Sequence, residues 1–154
     1  MDIADIITPG SVIANLRVAS KKQALQELAR RAAHIVDLPE RRIFEVLVER
    51  ERLGSTGLGM GIAIPHGKLP ELRRLHGLFA RLERPVDFDA VDDRAVDLIF
   101  VLLAPEDAGA DHLKALARVS RLLRGGAICE KLRGTDSADA LYALLTEGTS
   151  SAAA

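Results

Sequence analysis

The stretch from Arg50 to Lys68 reads RERLGSTGLGMGIAIPHGK and sets an arginine, two hydroxyls and a histidine among closely spaced glycines. Gly54, Gly57, Gly59 and Gly61 stand too near one another for a regular helix or strand. Glycine is used where φ is positive or where something must approach the backbone, so this spacing predicts a loop that cradles a ligand. Ile62-Ala63-Ile64 then reads as a short buried strand. Pro65 ends it and leaves His66 on a stiff strand end.

Three chemistries compete for these residues. A phosphate loop of the Walker type needs GxxxxGK followed by Ser or Thr, but Gly61 and Gly67-Lys68 stand one residue too far apart and Leu69 replaces the hydroxyl. The dinucleotide pattern GxGxxG fails as well, because Ile62 follows Gly57 and Gly59 where the third glycine belongs. No further His, Cys or carboxylate lies at a recognised ligand spacing from His66, so no metal is expected. The third chemistry is nucleophilic: a neutral imidazole at His66 attacks a phosphoryl group while Arg50, Ser55, Thr56 and the loop amides hold the spread negative charge. Spacing alone leaves this level with a bland reading, a histidine capping a turn.

The whole stretch resembles the phosphorylation-site signature of type 2 IIA domains of the bacterial phosphoenolpyruvate-dependent phosphotransferase system, the mannitol, fructose and nitrogen-related class. Its Leu53-Gly54-Ser55-Thr56-Gly57 segment is more similar to the nitrogen-related regulatory members than to the sugar-specific ones. The similarity runs from Ile6 to about Leu145. It implies that His66 accepts a phosphoryl group on its tele nitrogen, with Arg50 stabilising the charge and His112 supporting it by a hydrogen bond. The donor it implies is an HPr-like phosphocarrier of the nitrogen branch (NPr). The implied targets are regulatory proteins such as sensor kinases or ion-transport regulators. No cofactor and no independent turnover of a small molecule are implied. Two alternatives stay open: a detached IIA component of a fructose- or mannitol-type permease, and a module that senses a phosphorylated metabolite without covalent chemistry.

The rest of the chain has to position these groups. At 154 residues it fits one domain, 1–148, followed by a small-residue tail, 149–154, expected to be disordered. Hydrophobic residues make up 48% but aromatics only 3%, which predicts an aliphatic core and no base-stacking platform. A net charge of −1 lacks the basic footprint of a nucleic-acid protein. The start resembles no signal peptide and no apolar run is long enough to span a bilayer, so the expected location is the cytoplasm. The lone Cys129 reads as packing.

Residues 11–18 read as a strand, and Ser20 with Gln23 opens a helix. Asp37-Leu38-Pro39-Glu40 opens a second, with Ile43, Phe44, Leu47 and Val48 inward and Glu49 to Arg52 as a solvated charge run. Leu75–Leu82 has strand character, Pro85–Arg94 is turn-rich, and VDLIFVLL from Val96 reads as a strand buried on both faces. His112 falls in the first turn of a helix beyond that strand, with Leu113, Leu116, Ala117, Ser120 and Leu123 as its inner face. Gly125-Gly126 ends it, and two short helices follow, about 127–132 and 138–145. The other histidines, His34 and His76, read as surface. Leu58, Met60, Ile62, Ile64 and Leu69 are expected beside His66, some of them facing a protein partner. Mixed strands and helices in one domain predict a three-layer α/β/α sandwich around a mixed sheet.

Overall fold

The computed structural model describes residues 2–153, with side chains through Glu147. After two 3-10 turns, Ile3–Asp5 and Pro9–Ser11, the order is β1 (Val12–Leu16), α1 (Lys21–Val36), α2 (Glu40–Arg52), β2 (Gly57–Gly59), β3 (Ile62–Ala63), β4 (His66–Leu69), β5 (His76–Val86), β6 (Val96–Pro105), α3 (Ala110–Arg124), α4 (Gly126–Arg133) and α5 (Ala138–Ala153). Each start has a local cause. Ser20 accepts from the Gln23 N–H at 3.1 Å and so caps α1. Pro39 precedes α2 in extended backbone, where its missing N–H costs nothing.

The sheet runs β1-β5-β6-β3-β2, and β4 continues along β6 beyond β3. β5 is antiparallel to β6, whereas β3 and β4 are parallel to it, so the sheet is mixed. β6 sits centrally because its sequence has an apolar residue for both faces. Ile99, Val101 and Leu103 join the core under α1 and α2. Leu98, Phe100 and Leu102 join a second core under α3, α4 and α5. Two cores on opposite faces of one sheet make the expected three-layer sandwich; they are mostly aliphatic but, beyond the sequence expectation, bury Phe88 in one and Phe79 and Phe100 in the other. Among the described residues no helix is long and apolar enough to cross a membrane.

The structure departs from the sequence reading in four places. Gly57–Gly59 is a strand after all, paired antiparallel to β3 through a two-residue turn. Met60 and Gly61 take φ of 58° and 81° there, the positive pair that a tight hairpin turn demands. β5 extends through Pro85, at a register irregularity between Arg81 and Val86 that spares the ladder a missing N–H. α3 buries His112, Ala115 and Val119 together with the expected Leu123, while Leu113 and Ala117 are exposed and Leu116 and Ser120 only half-buried. The stripe is rotated by about one position because His112 turns inward and sends Leu113 out. α5 runs past 145 to Ala153. The tail expectation, 149–154, falls on residues whose side chains lie outside the described set.

Candidate functional site

Gly67 lets α2 lie directly on β4. A Cβ at Gly67 would meet Val46 Cγ1 at 2.3 Å, so any larger residue would push the helix away. Arg50 lies one helical turn beyond Val46 and therefore reaches His66, the first residue of β4. Its Nε donates to His66 Nε2 at 3.1 Å and its Nη1 donates to the Gly54 carbonyl at 2.8 Å. His66 Nδ1 lies 2.8 Å from the Ile64 carbonyl. A carbonyl can only accept, so Nδ1 carries the ring proton and Nε2 presents its lone pair to the cleft.

The second histidine arrives from the opposite layer. His66 pairs in register with Leu102 near the end of β6, and α3 starts just beyond that end. His112, in its first turn, is 5% exposed. Its ring stands 5.6 Å from that of His66 at an interplanar angle of 63°. Its Nδ1 makes no hydrogen bond among the described residues. Both rings are held below the ordinary imidazole pKa, first by burial. For His66, Arg50 adds to the effect against the opposing Ile64 hydrogen bond and Glu51. For His112, His66 and Lys68 add to it. Both shifts favour the neutral ring at pH 7, the form that a nucleophile or a hydrogen-bonding partner would need.

The rings open into a cleft of about 580 Å³ whose charged and polar lining includes Glu49, Arg50, Lys68, His66 and His112. A larger depression of about 730 Å³ lies between Arg17–Ala19 and Glu83–Val86. It contains no histidine, and Arg17 there pairs with Glu83. The cleft's apolar rim is Leu53, 86% exposed, and Leu113, 68% exposed. That corrects the sequence reading. Ile62, Ile64 and Leu69 are buried, while Leu58 and Met60 are exposed on the hairpin.

Of the loop residues, only Gly54 touches the constellation, through its carbonyl. The Ser55 hydroxyl donates to the Phe88 carbonyl at 2.6 Å and accepts from the Gly57 N–H. The Thr56 hydroxyl and N–H both donate to Glu51. Gly57, Gly59 and Gly61 form the hairpin and do not line the cleft. Arg133 anchors that hairpin: it donates to the Met60 carbonyl at 2.7 Å and pairs with Asp97. His34 is exposed as expected. His76 is half-buried, not surface: it lines a small cavity together with Ala32, Ile35 and Val36 of α1, and burial and then Arg74 lower its pKa. Cys129 is buried as packing, its thiol donating to the Leu123 carbonyl. Sequence reasoning missed Glu51, which sits in a charge run yet is only 6% exposed and pairs with Lys21 at 2.6 Å. Its spacing one residue past Arg50, on the inner side of α2's last turn, was the available signal.

Fold and cleft together define an α/β sandwich that presents one neutral, arginine-capped imidazole at the end of its sheet, with a second imidazole beside it. Residues 5–148 match the family described as phosphoenolpyruvate-dependent sugar phosphotransferase system, EIIA 2, and the chain belongs to that family. It is 57% identical over 145 residues to a nitrogen regulatory protein of Bradyrhizobium diazoefficiens, covering 94% of this chain and 95% of that one. The crystal structure of the nitrogen regulatory protein IIA-Ntr from Neisseria meningitidis superposes with a TM-score of 0.89 at 38% identity, covering 94% of this chain and 99% of that one. A fructose-specific EIIA component of Haloferax volcanii is 36% identical over 151 residues, covering 96% of this chain and 98% of that protein.

Proposed function

We propose that this chain is a phosphocarrier of the nitrogen-related branch, charged on His66 Nε2 by the phosphohistidine of an HPr-like donor (NPr) and acting in the cytoplasm on regulatory proteins according to its phosphorylation state. The observation that carries the reading is the fixed tautomer. With Nδ1–H held on the Ile64 carbonyl, the Nε2 lone pair faces the cleft beside Arg50 and His112. Transfer then balances without an added proton. Nε2 attacks phosphorus, and the donor's N–P bond breaks. A donor ring protonated on its other nitrogen leaves as neutral imidazole. His66 becomes the protonated phosphoimidazole with its Nδ1 proton still on Ile64. Arg50 moves from Nε2 to the phosphoryl oxygens, where a planar guanidinium can grip two of them.

The exposed Leu53 and Leu113 flank the reacting ring and suit a protein partner. A phosphoryl group adds roughly 1.5 to 2 negative charges to that rim, which disfavours any partner that lacks cations to meet them. The test is mass spectrometry after incubation with phosphoenolpyruvate, the general carrier enzyme and NPr. The expected result is one acid-labile phosphoryl on His66 in the wild type and none in a folded His66→Ala. Modification of His34, His76 or His112 instead would overturn the assignment. The similarity to a fructose-specific component supports a second reading, a detached sugar-permease IIA. Rapid onward transfer to a IIB domain, with partner capture unaffected by phosphorylation, would favour it.

A further inference from the structure

We infer that Glu51 is a positioning residue for the site: its buried carboxylate holds the turn Leu53–Thr56, and that turn holds both Arg50 and His66. The inference rests on the reading of His66 as phosphoryl acceptor. Glu51 takes three donors, Lys21 Nζ at 2.6 Å, the Thr56 N–H at 3.1 Å and the Thr56 hydroxyl. Its neighbours in the same run do something different, since Glu49 and Arg52 pair with each other in solvent. Lys21 is itself tied down, donating to the Phe88 carbonyl at 3.3 Å with its ammonium 5.1 Å from the Phe88 ring centroid. The Ser55 hydroxyl donates to that same carbonyl.

From Thr56 the order passes to the reacting atoms in two short routes. The Thr56 carbonyl accepts the Ile64 N–H at 3.0 Å, and the Ile64 carbonyl accepts the His66 Nδ1 proton at 2.8 Å. This route fixes which nitrogen is the nucleophile. In the other, the Gly54 carbonyl, two residues before Thr56 in the same turn, accepts Arg50 Nη1. It aims the guanidinium at Nε2. A carboxylate that only stabilised a loop would have no reason to sit where one output ends on Nδ1 and the other on Nε2 of the same imidazole.

The test compares the full-length wild type with Glu51→Gln, which keeps the shape but replaces one acceptor oxygen with a donor. Ring ¹⁵N correlations of the unphosphorylated protein are expected to show the wild-type His66 as the Nδ1–H tautomer and the variant as a mixture. Phosphorylation by NPr is expected to slow about tenfold, less than the roughly 10²-fold that a misplacement of about 1 Å of a reacting group can cost, because the substitution keeps the shape of the side chain. In an Arg50→Ala background the same substitution is expected to cost less than about threefold, because part of what Glu51 positions is gone. An unchanged His66 ring pattern in folded Glu51→Gln, or an equal loss in both backgrounds, would make Glu51 purely structural. If Glu51→Gln does not fold, Thr56→Val, which deletes one of the three donors, is read by the same two measurements with a smaller expected change. Should the wild type take no phosphoryl on His66, the functional reading fails, while the ring pattern still decides the role of Glu51.

Discussion

At the β2–β3 hairpin the Met60 N–H donates to Asp92, the Met60 carbonyl accepts from Arg133, and Arg133 is itself matched to Asp97. In the cleft His112 Nδ1 has no partner among the described residues, and Leu53 and Leu113 stand in the open. Both regions combine glycines with charged and polar groups. The hairpin's polar groups are matched within the fold, whereas the cleft leaves hydrogen-bonding capacity open at His112 Nδ1. Unsatisfied capacity, more than glycine density, marks the working region.

Substitutions sharpen that contrast. Arg50→Ala is expected to leave His66 as the site of modification but slow transfer by ~10², the usual loss for one charge-stabilising donor. Arg50→Lys should recover only part, since an ammonium lacks the guanidinium fork. His112→Ala should fall in the same range. Single-turnover rates with excess donor measure all three, and a wild-type rate in Arg50→Ala would break the comparison. On the hairpin the effect should be on stability instead. Gly61→Ala puts a Cβ at φ 81° and 2.6 Å from Arg133 Nη2, so denaturant titration should show a loss of about 1–3 kcal/mol. Transfer per folded molecule should stay within about twofold. A large rate loss there would return the hairpin to the site.

The smallest expected effect is a pH dependence. His66, His76 and His112 are all lowered by burial, so below about pH 6.5 the unfolded chain binds protons that the folded chain refuses. Stability is therefore full above that pH and is lost as pH falls through the folded values. Each such histidine contributes a slope of up to ~1.4 kcal/mol per pH unit. His76→Gln should flatten the acid limb of thermal stability by one proton's share without altering transfer. An unchanged limb would mean that His76 is solvated. Transfer itself should decline at a lower pH than an ordinary imidazole would dictate, because burial favours the neutral form of His66.

His66, Arg50 and the apolar run of β6 were legible because each depends on neighbours close in sequence or on unbroken hydrophobicity. His112 could be placed at a helix start beyond a central strand, but its part in the site was implied only by the family resemblance. The hairpin was misread because Gly57–Gly59 becomes a strand only through its pairing with β3. The α3 face came out one position off because His112 is drawn inward by a ring from another layer. Glu51 was missed for a related reason. Its partner Lys21 lies on a different helix, and only the folded chain turns a charge run into a buried pair. Tertiary contact, not local propensity, decided all three.

α2 belongs to the core on one face of the sheet and α3 to the core on the other, yet both line the cleft. A group bound between Arg50 and His112 would consequently be a rivet through two layers that pack on opposite faces of the sheet. It stabilises only those states in which both helices are docked, so it raises the free energy of every partial opening that lifts either one away. Amide protons of α2 and α3 that exchange independently in the free protein would then exchange together. The phosphoryl group would be felt as a change in which parts of the fold can come loose, with the average coordinates left where they are.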